Sequence, residues 1–529
     1  MESFGEDPYV NGIMGKAMVD GYQQKADTGI AACLKHFAGY GAVNAGREYN
    51  DVEISQRTFL EQYVKPFRMA LKAKPAMVMT AFNAIDRKPI SGNKELLKGL
   101  LRDKEGFEGT VISDWGSIGQ LEEQGVAADM EEAAIQASEA GVDIDMMSPA
   151  YMLCLEKLVE SGKIPEAFVD ESCVLLKNDK ILPLSMKKKV IWAGPYTTSR
   201  ELLSRWSIFG EHEAVETIED VLQKKQIEVE CITGCNILSD AECKVWQVEQ
   251  ELSGKPRDEQ WLETITHEDT VVCVLGEHES QSGEAASRAF LTLPEEQQVL
   301  FEKIAERTSN IVTVIIAGRP LDLRRISEKS KAVIMAWRPG TMGAEAIIDI
   351  VYGRINPSGK LSVSIPWCVG QVPISYWDVK TGHILTEDNS ENRFTSRYMD
   401  IPNTPLYPFG YGLSYTEFDI SDVDVQIGQD KKVHVHCNVC NTGNVAGAEV
   451  VQCYYETLYA SVVRPKKELV RFQKVFLEPG EKKDVDFFID QEEFSYYGKN
   501  METVSSGMKL RISIGNSSDH LVSENIIQE

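Results

Sequence analysis

The stretch Gly109-Thr110-Val111-Ile112-Ser113-Asp114-Trp115 decides the fold of the first part of the chain. A short apolar run ends in a Ser-Asp pair, and helical sequence follows. This pattern is typical of a buried strand in a parallel sheet covered by helices. Because functional residues of such sheets lie where strands end, Asp114 and Trp115 are candidate site residues. The alternative for Asp114 is a helix N-cap, a common position for Asp after a strand.

Similar β-then-α units lie on both sides of this stretch. Strands are predicted at 30–37, 76–82, 109–114 and 141–146, with helices at 14–25, 55–72 and 93–103. About four parallel strands with outer helices amount to an incomplete (β/α)₈ barrel, since a full one needs eight. Two further strand ends carry polar residues, at Lys35-His36-Phe37 and at Phe82-Asn83. For Lys35 and His36 the alternative is a surface salt bridge and a hydrogen-bonded core histidine.

A second α/β block extends over about 182–410. Apolar strands are predicted in an open, mostly parallel sheet at 190–192, 270–275, 311–317 and 332–337, and an alternating segment at 227–232 indicates an edge strand. No GxGxxG follows the first of these strands, which disfavours a dinucleotide site. The loop at 276–284 after the second strand carries Glu277, Glu279 and Glu284 as candidate proton donors. Composition does not show which of the three glutamates would be the proton donor. The alternative is that the segment is simply an acidic, solvated loop.

From about residue 416 the hydrophobic period changes to two. Strands are predicted within 432–436, 449–455, 468–476 and 508–514, with turn residues between them. An immunoglobulin-like or fibronectin type III-like β-sandwich accounts for this pattern. The sequence thus predicts an α/β multidomain protein with a partial barrel at 1–176, an α/β sandwich domain at 177–415 and a β-sandwich at 416–529.

Composition narrows the classes of partner and cofactor. The 529 residues carry a net charge of −26, which argues against nucleic acid or an anionic membrane and suits a neutral substrate. Eleven cysteines spread over the chain indicate no disulfide framework, and the single CxxC at Cys437 and Cys440 does not predict zinc. No apolar run of membrane-spanning length or signal peptide is evident, so a cytoplasmic location is predicted.

Ordered motifs along nearly the whole chain resemble those of the family 3 glycoside hydrolases. In chain order these are residues 2–9 (ESFGEDPY), 35–37 (KHF), 46–49 (GREY), 113–115 (SDW), 140–143 (AGVD), 174–178 (VLLKN), 182–184 (LPL), 283–288 (GEAASR), 356–361 (NPSGKL) and 408–416 (PFGYGLSYT). Residues 464–472 and 477–481 resemble that family's C-terminal fibronectin type III-like domain.

The resemblance implies a retaining, exo-acting β-glycosidase that releases terminal glucosyl, or xylosyl, residues from a small carbohydrate substrate. Asp114 resembles the nucleophile and Glu284 the acid/base. The substrate-binding residues implied are Lys35, His36, Trp115, Phe82, Arg47 and Tyr49. Phe82 stands where many members have a tyrosine. The family needs no metal or organic cofactor. Residues 38–49 contain no Asp-His dyad, which argues against an N-acetylglucosaminidase.

Two departures from the family pattern define the alternative function. Members carry barrel sequence before the motif at 2–9, including an Asp and an Arg that bind the sugar, and the usual last barrel helix and linker are missing after Asp170. The alternative is therefore an inactive remnant that binds sugar weakly, or a half-enzyme. Its partner would be a complementing N-terminal fragment, and a homodimer is the other partner considered.

Overall fold

Contacts between residues divide the chain into two units, each described here by itself. The N-terminal unit comprises Ser3–Gly162 and Tyr496–Val504, and the C-terminal unit comprises Lys163–Ser495 and Ser505–Glu529. The computed structural model describes residues 4–23, 30–107, 109–128, 130–144, 146, 173–185, 189–203, 215–248, 259–340, 342–386, 389, 391–428, 432–505 and 507–528. The predicted gap after Asp170 and the motif residues 2 and 3 lie outside them.

A parallel sheet forms the centre of the N-terminal unit, in the order β1-β2-β5. Its strands are β1 (Cys33–Phe37), β2 (Met77–Thr80) and β5 (Thr110–Ile112), and a small hairpin of β3 (Ala84–Ile85) and β4 (Lys88–Pro89) follows β2. Ile144 continues the sheet through a parallel bridge to Ile112. The four predicted strand positions are therefore confirmed as parallel neighbours.

Helices accompany these strands as the sequence predicts. They are α1 (Pro8–Gln23), α2 (Gln56–Thr58), α3 (Lys65–Leu71), α4 (Gln120–Glu123) and α5 (Met130–Ala140), with π-helical segments at Phe59–Tyr63 and Glu95–Lys104 and 3₁₀ turns at Tyr40–Ala42, Asn44–Gly46 and Ile90–Gly92. Val78 and Val111 of the sheet share one core with Leu97 and Leu101 of the second π-helical segment. This apolar contact fixes the strand ends that carry the polar residues.

The C-terminal unit begins with a six-stranded sheet in the order β6-β11-β10-β9-β7-β8. Its strands are β6 (Val174–Asn178), β7 (Val190–Ala193), β8 (Glu230–Ile232), β9 (Thr270–Gly276), β10 (Ile311–Ile316) and β11 (Ala332–Trp337). The five predicted strands are confirmed, and β8 lies at an edge as predicted. The sheet is not parallel throughout, because β6 pairs antiparallel with β11. The predicted domain boundary at 176 falls inside β6.

Both faces of this sheet are covered. Trp192 and Val274 lie in the core on one side, whereas Ile191 and Cys273 lie in the core on the other. All seven residues of β9 are buried, which explains its unbroken apolar sequence. The helices of this part are α6 (Ile218–Lys224), α7 (Asp240–Trp246), α8 (Glu295–Ala305), α9 (Arg324–Lys329) and α10 (Gly343–Val351). No helix of the described residues is both long and apolar enough to cross a membrane.

Two facing sheets form the β-sandwich at the end of the chain, as predicted. One has the order β12-β13-β16 and the other β15-β14-β19-β20. The strands are β12 (Phe418–Ile427), β13 (Val433–Asn441), β14 (Gly447–Thr457), β15 (Glu468–Leu477), β16 (Lys482–Ile489), β19 (Lys509–Gly515) and β20 (Leu521–Gln528). Alternate residues of β13 are buried, which matches the period of two in its sequence.

A hairpin within the last domain belongs to the N-terminal unit instead. It consists of β17 (Tyr496–Tyr497) and β18 (Thr503–Val504). Tyr497 is 9% exposed and lies in the core of that unit, while its backbone N–H donates to Glu61 over 2.8 Å. Arg57 donates to the carbonyl of Gly498 over 2.7 Å. The predicted domain at 416–529 therefore contributes residues to both units.

Candidate active site

The parallel register brings three polar strand ends to one edge of the N-terminal sheet. Leu34 pairs with Val78, and Val78 pairs with Val111, so the strands end side by side. The carboxyl end of β1 thereby carries Lys35 and His36. Phe82 lies just beyond the end of β2, and Asp114 lies just beyond the end of β5. In β/α folds this edge is where substrates bind.

Asp114 is a buried carboxylate that contacts a histidine. It is 6% exposed, and its Oδ2 atom lies 3.4 Å from Nε2 of His36. Its Oδ1 accepts a hydrogen bond of 2.7 Å from the backbone N–H of Trp115. The following residues form turns, and α4 begins only after its N-cap at Gly119. The N-cap alternative for Asp114 is therefore wrong, and its carboxylate lies beside the side chain of His36.

A series of aromatic rings connects His36 to Phe82 and Tyr49. His36 packs edge-on against Tyr40 at 5.6 Å, Tyr40 lies 6.0 Å from Phe82, and Phe82 packs edge-on against Tyr49 at 5.2 Å, all between ring centroids. The sequence does not single out Tyr40, which lies in the 3₁₀ turn Tyr40–Ala42 after β1. These aromatic rings form an apolar surface next to His36, the histidine that contacts Asp114, and the two tyrosines add hydroxyl groups to it.

The remaining candidate residues are exposed. Trp115 exposes 61% of its surface and Tyr49 exposes 43%. Lys35 is exposed at the strand end, and Arg47 is exposed on the loop after the 3₁₀ turn Asn44–Gly46. Exposed aromatic rings near a buried carboxylate suit a sugar, since the apolar C–H face of a pyranose packs on an aromatic face.

The loop that carries Asp114 is held by hydroxyl groups. Ser113 donates to the carbonyl of Asp114 over 3.0 Å, and its Oγ accepts from the backbone N–H of Met146 over 2.7 Å. Ser91 links the hydroxyls of Thr80 and Ser117 at 3.0 and 2.8 Å in a buried chain. These contacts connect the β2 and β5 ends, and the sequence alone did not reveal them.

Cys33 on β1 lies in the same neighbourhood. Burial raises the pKa of its thiol to about 11, the charge of Lys35 lowers it in part, and the charge of Asp114 raises it further. The thiol therefore stays protonated at neutral pH.

In the C-terminal unit the topology marks the loop after β9. The chain runs from β7 to β8 in one direction and from β9 to β10 and β11 in the other, so the strand order reverses between β7 and β9. Ligands of open α/β sheets bind in the crevice outside the carboxyl ends of the strands at this point. The loop with Glu277, Glu279 and Glu284 starts there.

The structure separates these three glutamates by their contacts. Glu277 is fully buried, and its oxygens contact Arg288 at 2.9 Å and the backbone N–H of Gly318 at 2.8 Å. Such a carboxylate has no access to a substrate. Glu279 lies in the 3₁₀ turn Glu279–Gln281. Glu284 is partly exposed in a turn, which suits a proton donor.

A buried contact between a histidine and a glutamate supports the start of the loop. Nε2 of His278 lies 2.8 Å from Oε1 of Glu201, and Nδ1 lies 2.8 Å from Oγ of Ser280. Glu201 is 3% exposed. Burial raises the pKa of the neighbouring Tyr196, whose hydroxyl donates to the carbonyl of Glu277 over 2.6 Å. This polar network orders the crevice at the switch point.

Two further features concern metal ligands and cavities in the described residues. Among them, no group of three or more His, Cys, Asp or Glu side chains is arranged to hold a metal ion. A cavity of about 290 Å³ lies in the N-terminal unit, where Lys88, Asn93, Leu121 and Gln136 contribute to its lining. Asp114 is not among its lining residues.

Comparison with known families gives matches along most of the chain. Residues 1–178 match the glycosyl hydrolase family 3 N terminal domain, and residues 173–415 match the glycosyl hydrolase family 3 C-terminal domain. Residues 449–518 match a fibronectin type III-like domain.

Individual proteins give the same result. The chain is 34% identical to a periplasmic beta-glucosidase of Salmonella typhimurium, over 97% of this chain and 76% of that protein. It is 30% identical to a beta-xylosidase of Formosa agariphila, over 98% of this chain and 79% of that protein. A crystal structure of beta-glucosidase from Listeria innocua in complex with isofagomine superimposes with a TM-score of 0.90 and 35% identity, covering 100% of this chain and 79% of that one.

Proposed function

The chain belongs to glycoside hydrolase family 3, and we propose that it releases terminal β-D-glucosyl residues with Asp114 as nucleophile and Glu284 as acid/base. The observation that carries the assignment is the buried Asp114 at the carboxyl end of β5, in contact with His36 at 3.4 Å. Both family domains are matched, which supports a retaining mechanism with two carboxylates.

In the first step the Asp114 carboxylate attacks the anomeric carbon of the terminal sugar. The bond from that carbon to the glycosidic oxygen breaks, and Glu284 gives its proton to the departing oxygen. The hydrogen bond from the Trp115 amide to Oδ1 fixes the orientation of the nucleophile. The product of this step is a glycosyl ester on Asp114.

In the second step water replaces the ester. The Glu284 carboxylate takes a proton from water, the water oxygen bonds to the anomeric carbon, and the bond to Asp114 breaks. Two displacements return the sugar with its original β configuration. Glu284 ends protonated and Asp114 ionised, ready for the next cycle.

We assign the sugar-binding residues from the family resemblance and from their location at the strand ends and on the loop after β1. Lys35 and His36 donate hydrogen bonds to sugar hydroxyls, and Trp115 and Tyr49 offer exposed rings. Arg47 is assigned a binding role on the loop. Phe82 presents a ring without a hydroxyl, so one polar contact to the nucleophile is replaced by packing against Tyr49. Relatives named beta-glucosidase and beta-xylosidase support glucosyl or xylosyl residues as the terminal sugar that is released.

The test is release of 4-nitrophenol from 4-nitrophenyl β-D-glucoside. Asp114→Asn should lower kcat at least about a thousandfold, because the nucleophile is lost. Asp103→Asn, an exposed aspartate on the second π-helical segment, is the matched control and should keep full activity. A 2-deoxy-2-fluoro glucoside should label Asp114 covalently, as read by peptide mass spectrometry. Undiminished turnover by Asp114→Asn would refute the mechanism.

A second candidate function is suggested by the small number of strands described in the sheet β1-β2-β5, which carries Asp114 just beyond β5. Within the described residues, three strands and one bridge account for about half of a (β/α)₈ barrel. Under this alternative the chain binds sugar weakly, or turns over only when a fragment supplies further strands. Activity of the purified chain alone would refute it, whereas activity that appears only with an added N-terminal barrel fragment of a relative would support it.

A further inference from the structure

We infer that Arg319 and Glu277 are positioning residues that hold Glu284 in place for proton transfer. This inference rests on the proposed role of Glu284 as acid/base. Neither residue needs to touch the substrate. Both lie in the C-terminal unit, at the ends of strands on either side of the loop.

Arg319 joins the two sides of the Glu284 loop. Its Nη2 atom donates to the carbonyl of Gln281 over 2.7 Å and to the carbonyl of Ala286 over 2.8 Å. These residues lie three positions before and two positions after Glu284. One guanidinium therefore closes a six-residue segment around the proposed proton donor.

Glu277 holds the arginines that border this segment. Its Oε2 atom lies 2.9 Å from Nη1 of Arg288 and 3.6 Å from Nε of Arg319. Its Oε1 accepts from the backbone N–H of Gly318 over 2.8 Å. The Glu277 side chain is fully buried and that of Arg288 is 8% exposed. The loop is thus tied to the ends of β9 and β10 by charge-assisted hydrogen bonds.

The approach of β10's end to the loop leaves no room for a side chain at Gly318. A Cβ atom there would lie 2.5 Å from Oγ of Ser282 and 2.8 Å from its Cβ. Ser282 is consequently packed against the backbone of the residue that precedes Arg319.

Support of this kind matters because the loop backbone includes a conformation that is unfavourable for a residue with a side chain. Gly283 and Ala285, on either side of Glu284, both have positive φ, at 98° and 55°. Ala285 adopts this region at a cost, because its Cβ disfavours it. Buried ion pairs add little net stability compared with apolar packing, so their value here lies in geometry. A misplacement of about 1 Å at a catalytic group costs roughly a hundredfold in rate.

The experiment compares two aryl glucosides that differ in their need for a proton. Phenyl β-D-glucoside has a poor leaving group and depends on general acid help, whereas 2,4-dinitrophenyl β-D-glucoside does not. Arg319→Met should lower kcat/KM about a hundredfold for the phenyl substrate and less than about threefold for the dinitrophenyl substrate. Added azide should speed its turnover of the dinitrophenyl substrate, because azide attacks the glycosyl ester without base assistance and yields glucosyl azide.

The matched control is Arg325→Met, an arginine with a side chain 64% exposed in surface ion pairs, which should behave as the parent. Arg319→Lys should recover part of the phenyl activity. The ratio between the substrates does not depend on the fraction of folded enzyme, so partial misfolding leaves the test valid. Equal losses on both substrates without an azide effect, or no loss on either, would overturn the positioning role.

Glu284→Ala, measured in parallel, separates the two proposals. It should show the same leaving-group dependence and azide response in stronger form. If Glu284→Ala shows neither, the acid/base assignment is wrong. If it shows both and Arg319→Met does not, only the positioning role is wrong.

Discussion

Trp115 is the residue whose exposure is hardest to explain by folding alone. It leaves 61% of its surface in water, next to a carboxylate that is 6% exposed. Trp115→Ala should change the free energy of unfolding by no more than about 0.5 kcal/mol, because little apolar area is buried. Loss of a stacking contact with the sugar should raise KM for 4-nitrophenyl β-D-glucoside up to roughly tenfold. Urea unfolding and initial rates measure the two quantities.

Phe290, which is 76% exposed, provides the control for this prediction. Phe290→Ala should leave both the unfolding free energy and KM unchanged. A Trp115→Ala variant with the KM of the parent would show that the ring does not contact the sugar.

Single residues also show what the sequence could not decide. The sequence is equally compatible with an N-cap and with a site carboxylate at Asp114. In the structure its Oδ1 accepts from the backbone N–H of Trp115, and α4 starts later. The three loop glutamates were equivalent by composition, and only long-range contacts distinguish them. Arg288 and the amide of Gly318 occupy the oxygens of Glu277. No local pattern encodes those partners.

Among the elements, the hairpin β17–β18 should stabilise the N-terminal unit. Tyr497 packs in its core, and the hairpin backbone hydrogen-bonds with Glu61 and Arg57. Tyr497→Ala should lower the stability of that unit by about 3 kcal/mol, because a large buried ring is removed. Hydrogen exchange of β2 amides, which report opening of the unit, measures the loss.

The control is Tyr459→Ala, since Tyr459 is 77% exposed on the sandwich. In the Tyr459→Ala variant, the β2 amides should exchange as slowly as those of the parent. Equal exchange in both variants would mean that the hairpin does not contribute to the stability of the N-terminal unit.

Element prediction succeeded where the pattern was local. Continuous apolar runs predicted β9, β10 and β11, and the alternation with Glu228 and Glu230 correctly predicted an edge strand. The antiparallel pairing of β6 was missed, because periodicity does not reveal a strand's partner. The hairpin β17–β18 was missed because two-residue strands carry no measurable period.

At the scale of the whole molecule, motif order predicted the family and the fold class, and both are confirmed. The predicted boundary at 415 stays a prediction, and the α/β sheet and most of the sandwich lie in one compact unit. Lys360 forms a 2.7 Å ion pair with Glu449, which is 4% exposed, and Tyr376 stacks on Phe409 at 4.6 Å. These contacts join residues far apart in sequence, so composition could not foresee them.

Buried thiols should make the whole molecule sensitive to alkali. Burial raises the pKa of Cys33 and Cys437 to about 11 and that of Cys231 and Cys235 to about 12, from an ordinary 9.0. Above about pH 9 the unfolded chain releases thiol protons that the folded chain keeps. The free energy of unfolding should therefore fall as pH rises from about 9 towards 11 to 12, and these thiols have no such effect below that window.

Cys235 gives the sharpest test because it is 8% exposed. At about pH 10, one unit above its ordinary pKa, ionisation of this one thiol in the unfolded chain should cost the folded state roughly 1.4 kcal/mol. Lysines and tyrosines also titrate there, so the quantity to measure is the difference between parent and Cys235→Ala. The variant should lose less unfolding free energy than the parent between about pH 8 and 10, read from urea midpoints. Parallel losses in the two proteins would show that this thiol ionises as readily in the folded chain as in the unfolded one.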